Sequence, residues 1–148
     1  MCGRFTLTSA EHVILDLFEI QTLPPQTPRY NVAPTQDVLA VRTAEDAREA
    51  VMLRWGLIPH WAKDKSIGSR MINARAETVA EKPAYREAFA QRRCLVVADG
   101  FIEWQRRGKK KQPFHIRLRS GLPFGFAGLW GRWRDEDGQW LQTCTVLT

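Results

Sequence analysis

Residues 93–119 read RCLVVADGFIEWQRRGKKKQPFHIRLR, and the fold class turns on how this stretch is parsed. Its first part, RCLVVA, is an apolar strand that runs into Asp99-Gly100, a pair with turn chemistry. FIEWQ and PFHIRLR flank the run RRGKKK, which reads as a hairpin with a basic tip. PFGFAGLWGRW (123–133) and WLQTCTVLT (140–148) supply further strands. Residues 37–43 and 50–57 read as two more. Helices are fewer. Thr8 and Glu11 have capping-box spacing, and Val13, Ile14, Leu17 and Phe18 form one apolar stripe, which predicts a helix over 9–19. A second helix is expected over 77–91, broken or restarted at Pro83. QTLPPQTPRYNVAPTQ (21–36) and IPHWAKDKSIGSR (58–70) read as long loops. The expected fold is therefore α+β: one domain over 1–148, predominantly antiparallel β-strands in a barrel-like pair of sheets with a few flanking helices. Its last strand runs to the final residue, which predicts a domain that lacks its C-terminal part.

The chain of 148 residues is long enough for a sizeable core, and its 44% hydrophobic and 26% charged content is that of a soluble globular protein. No apolar run approaches the ~20 residues of a membrane span. The start lacks a basic region followed by an apolar one, so no signal peptide is read and a cytoplasmic protein is expected. Cys2, Cys94 and Cys144 lack CxxC spacing, which argues against a disulfide framework and against a zinc site; no metal or cofactor is expected. Net charge is +6, from 22 Lys and Arg against 16 Asp and Glu, a balance that suits a polyanionic partner. Six Trp add the means to stack on unpaired bases wherever they are exposed.

Four places carry candidate chemistry. Cys2 follows the initiator Met1, and removal of Met1 would leave an α-amine and a thiol on one residue. Such a pair captures an aldehyde: the amine forms an imine, and the thiol closes on it to give a five-membered thiazolidine. Arg4 is expected to lower the thiol's pKa. The competing reading is that Cys2 is a small residue tolerated after Met1. In MINARAETV (71–79), Asn73, Arg75 and Glu77 alternate and would project to one side of an extended segment; a salt-bridged surface strand gives the same pattern. Glu103 lies between Ile102 and Trp104, placed either as a general acid or base or as an exposed strand residue. Trp55 and Trp61 flank a proline turn among cations, a loop able to stack a base. The tip RRGKKK either binds phosphate or is merely solvated. His60 and His115 lack ligand spacing and receive no role.

In this order, MCGRFTL, RYNVAPTQ, RWGLIPHWAKD, INARAET, RRCLVVADGFIEW, KQPFHI and FAGLW closely resemble the SOS-response-associated peptidase (SRAP) family of abasic-site processing proteins, over essentially the whole chain. The resemblance implies a DNA-damage protein that senses abasic sites in single-stranded DNA. It implies a covalent thiazolidine crosslink through Cys2, which shields the lesion. Asn73 would position the N-terminal residue, and Glu103 would assist sugar ring opening. Arg4 and Arg75 would hold phosphates, and Trp61 would lie in a loop near the lesion. The family also uses a His in an HDRMP-like motif after the TCTVLT strand, and the 148 residues contain no such motif. A monomer is expected, located at the nucleoid when DNA-bound. Two alternatives stay open: a thiol peptidase that releases its own N-terminal Cys, and a single-stranded-DNA-binding module without chemistry.

Overall fold

The computed structural model describes residues 2–148. The elements in chain order are β1 (Phe5–Leu7), α1 (Glu11–Phe18), β2 (Arg29–Val32), β3 (Asp37–Ala44), β4 (Ala47–Trp55), β5 (Asn73–Ala74), α2 (Arg86–Gln91), β6 (Arg93–Ala98), β7 (Gly100–Arg107), β8 (Lys110–Ile116), β9 (Phe124–Arg134) and β10 (Trp140–Leu147), with a 3₁₀ turn over Lys65–Arg70 between β4 and β5. The strands form two sheets, one ordered β2-β1-β7-β8 and one β4-β3-β6-β9-β10-β5. In the larger sheet β10 also pairs with β4, in parallel, at Thr143 opposite Arg54 and Cys144 opposite Trp55. Five strands thereby close into a barrel and leave no free edge. The expected barrel-like pair of sheets is this arrangement.

Side-chain alternation explains the layers. Val38, Ala40, Leu53, Trp55, Cys94, Val96, Ala98, Cys144 and Val146 face the barrel interior, where they meet Cys2, Phe5 and Val32 from the N-terminal part of the chain. The opposite parity of β3 and β6 carries Leu39, Val41 and Val97, which α1 covers with Ile14 and Phe18. Aromatic rings join the two sheets: Phe5 lies 5.1 Å from Trp55 and 6.0 Å from Phe126, and Phe101 lies 5.8 Å from Phe126. At one barrel end Arg42 stacks 4.1 Å above the Trp130 ring and bonds Glu49 at 2.6 Å and Gln142 at 2.7 Å.

The structure revises several local expectations. Helix α1 is present but has no capping box; its N-cap is Ala10, without a side-chain cap. The donors just ahead of it, the Thr8 and Ser9 amides and hydroxyls, bond Asp99 instead. RYNV, expected as loop, is strand β2 because β1 offers it an edge. The helix expected over 77–91 is a series of turns followed by α2 alone. MINARAETV is extended only at Asn73–Ala74, so Glu77 is not on a shared face with Asn73. Trp55 is fully buried and its indole donates to the Ile72 carbonyl at 2.9 Å, so it stacks no base. Asp99-Gly100 does not close a hairpin. It is the corner where the chain leaves the barrel for the second sheet, and a Cβ at Gly100 would collide with His115.

Candidate active site

Pairing of β1 with β7 sets the first distance in the site. Phe5 faces Phe101, Thr6 faces Gly100, and the Ile102 amide donates to the Arg4 carbonyl at 2.9 Å. Each step back along β1 meets a step forward along β7, so Gly3 comes opposite Glu103 and Cys2 lies beside it. Asp99 locks this register. Its carboxylate accepts from the Thr6 hydroxyl at 2.6 Å, the Thr8 hydroxyl at 2.9 Å and the Ser9 amide at 2.8 Å. The Thr6 hydroxyl in turn lies 3.2 Å from His115 Nε2.

The second distance comes from the barrel. β5 pairs with β10 at Asn73 opposite Val146. The preceding carbonyl, that of Ile72, accepts from the Trp55 indole at 2.9 Å and from the Val146 amide at 3.0 Å. So anchored, Asn73 donates through Nδ2 to the Cys2 carbonyl at 2.8 Å. Its Oδ1 is buried with no hydrogen-bond partner among the described residues. An orphaned buried acceptor beside Cys2 is costly unless it has work to do.

Cys2 is only 5% exposed. Burial pushes its thiol up to about 11, and the negative charge of Glu103 acts in the same direction. The expected lowering by the Arg4 cation does not occur; the contact with the Arg4 backbone lowers the value, but burial prevails. The Arg4 guanidinium instead donates to Asn31 at 3.0 Å, while the Cys2 Sγ donates to the Arg4 carbonyl at 3.6 Å. Glu103 lines an open surface cleft of about 360 Å³ together with Trp104, Gln105, Phe114 and Ile116.

Of the sequence candidates, Cys2, Asn73 and Glu103 come together from three distant segments. Arg75 lies two residues after Asn73 and is exposed, and Arg4 lies two residues from Cys2. Trp61 is 54% exposed on a loop held to the barrel by Ile58 and Ala62, and it shares its surroundings with His60, Glu87 and Arg132 on the α2 side. The sequence reading missed Asp99 and Trp55, which position the reactive groups, and Phe114, which sits opposite Glu103 across the β7–β8 pair. Among the described residues no group of His, Cys, Asp or Glu is arranged to hold a metal ion. No helix among them is long and apolar enough to cross a membrane.

Comparison with known proteins places this geometry. The family model for SOS response associated peptidase (SRAP) matches residues 1–148. The chain is 49% identical to the abasic site processing protein YoaM of Bacillus subtilis over 152 residues, covering 100% of this chain and 67% of that protein. It is 35% identical to the abasic site processing protein YedK of Escherichia coli over 135 residues, covering 87% and 59%. Among solved structures, a protein from Bacteroides thetaiotaomicron superposes with a TM-score of 0.85 at 27% identity, covering 99% of this chain and 67% of that one. A phage-related protein from Bordetella bronchiseptica gives 0.79 at 29% identity, covering 99% and 68%.

Proposed function

This chain belongs to the SOS response associated peptidase family, and from that premise we propose that it captures abasic sites in single-stranded DNA covalently on Cys2. The α-amine of Cys2, free once Met1 is removed, adds to the open-chain sugar aldehyde and expels one water to form an imine. The thiol then adds to the imine carbon, its proton passes to nitrogen, and a thiazolidine results. Met1 itself lies outside the described residues, so its removal is part of the proposal. Glu103 supplies the acid–base function, opening the closed sugar and carrying the protons of both steps. Asn73 holds the Cys2 carbonyl, and its orphaned Oδ1 is the natural acceptor for the α-amine. Arg4 and Arg75 meet flanking phosphates, and the captured lesion is shielded from strand cleavage.

The observation that carries this reading is the contact of the Asn73 amide with the Cys2 backbone beside Glu103. Together with the Asn73 Oδ1, unpartnered among the described residues, it leaves an acceptor available to a reacting α-amine at Cys2. A thiol peptidase would need an activated thiolate. Burial here keeps the thiol protonated, and His115 is engaged with Thr6 while His60 faces Glu87. The deciding experiment is the intact mass of the protein after incubation with an abasic single-stranded oligonucleotide. The expected species is the Met1-free chain plus the oligonucleotide less one water. A heat-stable adduct that retains Met1, or one formed equally well by Cys2→Ser, contradicts the mechanism.

A further inference from the structure

We propose that the β7–β8 hairpin is an electrostatic arm that grips the phosphate backbone of a single DNA strand next to Cys2. The proposal rests on the nucleic-acid reading above and adds a surface to it. Residues 104–119 hold seven of the 22 Lys and Arg and none of the 16 Asp and Glu, leaving 15 against 16 in the remainder. The net charge of +6 is thus concentrated in the outer part of this hairpin and the short segment that follows β8.

The pairing register makes the concentration costly. Arg106 stands directly opposite Lys111, and Arg107 opposite Lys110. Like charges in directly opposed positions destabilise a strand pair. Among the described residues none of these cations has an ion-pair partner, and every residue of β8 is exposed. A solvated tip of no function would place Glu or Asp across from Lys, at no cost to solubility. A local conflict of this kind is relieved by a bound polyanion.

The arm is also continuous with the reactive site and carries a surface for bases. Phe114 lies directly opposite Glu103 and is 43% exposed, with Ile116 at 41% and Trp104 at 56%. Phe114, Ile116 and Trp104 line the same cleft as Glu103. Cations at the outer end and an aromatic face at the inner end are the two parts of a single-strand groove: phosphates run along the first, and bases stack on the second. An acidic protein surface would satisfy the cations and leave this aromatic wall unused.

The test uses an undamaged single-stranded oligonucleotide and the variant Lys109→Gln/Lys110→Gln/Lys111→Gln. Affinity is measured by fluorescence anisotropy across a salt series, and melting temperature checks the fold. Three lost phosphate contacts should lower the magnitude of the slope of log K against log salt by about 2, with at least a ~10-fold loss of affinity at low salt. Phe114→Ala should weaken binding with the slope unchanged. Cys2→Ser should show the same arm dependence, because the arm acts before chemistry. Slope and affinity equal to wild type in the triple variant overturn the arm, even where wild type crosslinks normally. Binding of wild type to anionic vesicles through these lysines, without binding to the oligonucleotide, overturns it as well. An intact arm effect in a protein that never crosslinks overturns the covalent mechanism alone.

Discussion

The Cys2 thiol is 5% exposed and pushed up to about 11 by that burial, so at neutral pH it enters a reaction as S–H. In the proposed mechanism the α-amine, with an ordinary pKa near ~8, is then the first nucleophile. Ring closure needs the thiol proton removed in place, and Glu103 is the carboxylate beside it. Glu103→Gln should therefore slow single-turnover crosslinking by ~10²–10⁴-fold, with oligonucleotide affinity within about twofold of wild type, since phosphate contacts lie elsewhere. A variant rate within about twofold of wild type would place the proton carrier at another residue. The buried thiols also govern alkaline stability. Burial raises Cys94 to about 12 and lifts Cys144 well above its ordinary value, as it lifts Cys2. A thiol whose folded pKa exceeds its unfolded one holds its proton longer in the folded state. Its stability contribution is full below the unfolded value of ~8.5 and falls as pH rises toward the folded one. Thermal melts should show stability dropping above about pH 9, and Cys94→Ala should move that limb to higher pH.

At the scale of elements, the decisive joint is the corner between β6 and β7. Asp99 there ties the segment Thr6–Ser9 to the chain that bears Glu103. Burial pushes its carboxyl up, but the bonds from Thr6, Thr8 and Ser9 together prevail and hold it below the usual range. A carboxylate depressed in the folded state stabilises above its unfolded pKa of ~3.9 and loses that contribution as pH falls through the folded value. Asp99→Asn should cost ~1–3 kcal/mol, because it turns two acceptor oxygens into one and leaves donors unmet. It should also flatten the acid limb of stability against pH in chemical-denaturation curves; an unchanged limb would remove Asp99 from the corner's role. None of this was legible in the sequence, because the donors to Asp99 lie 90 or more residues away. The strands of the barrel were legible because alternation survives in their residues, as in Val38, Ala40 and Cys94, Val96 against Leu39, Val41 and Val97. Strand β2 was hidden between Pro28 and Pro34, and its four residues need β1 as an edge. Cys2, Asn73 and Glu103 were legible as residue types within quoted motifs, and their convergence was not: it depends on β1–β7 and β5–β10 pairings without local signals. Trp55 read as a base-stacking residue because its neighbours in sequence are loop-like, while its ring belongs to the barrel core.

Over the whole molecule, the barrel and the second sheet form a rigid support, and charge and chemistry meet along one line of it. Cations lie towards the tip of the β7–β8 hairpin, and Glu103, beside Cys2, lies nearer its base, with Asn73 on the Cys2 carbonyl. Such a field attracts any nucleic acid, so attraction alone does not select the substrate. On the proposed function, selection comes from access. Cys2 is almost fully buried, and Asn73 holds its carbonyl, so the sugar must travel to the nucleophile. In a single strand the abasic sugar moves freely. In a duplex it is retained between stacked neighbours, and extruding a nucleotide costs a few kcal/mol, least at damaged positions. Each ~1.4 kcal/mol of that cost is a factor of ten. The expected outcome is that crosslinking of one abasic oligonucleotide slows at least ~10-fold once its complement is annealed, while low-salt affinity falls less than the rate, because the arm meets phosphates in both forms and only the base-stacking contacts are lost. Single-turnover rates and anisotropy on the same pair of substrates decide it. Equal crosslinking rates would mean that the protein opens the duplex itself, and the burial of Cys2 would then have to be relieved by a conformational change on binding.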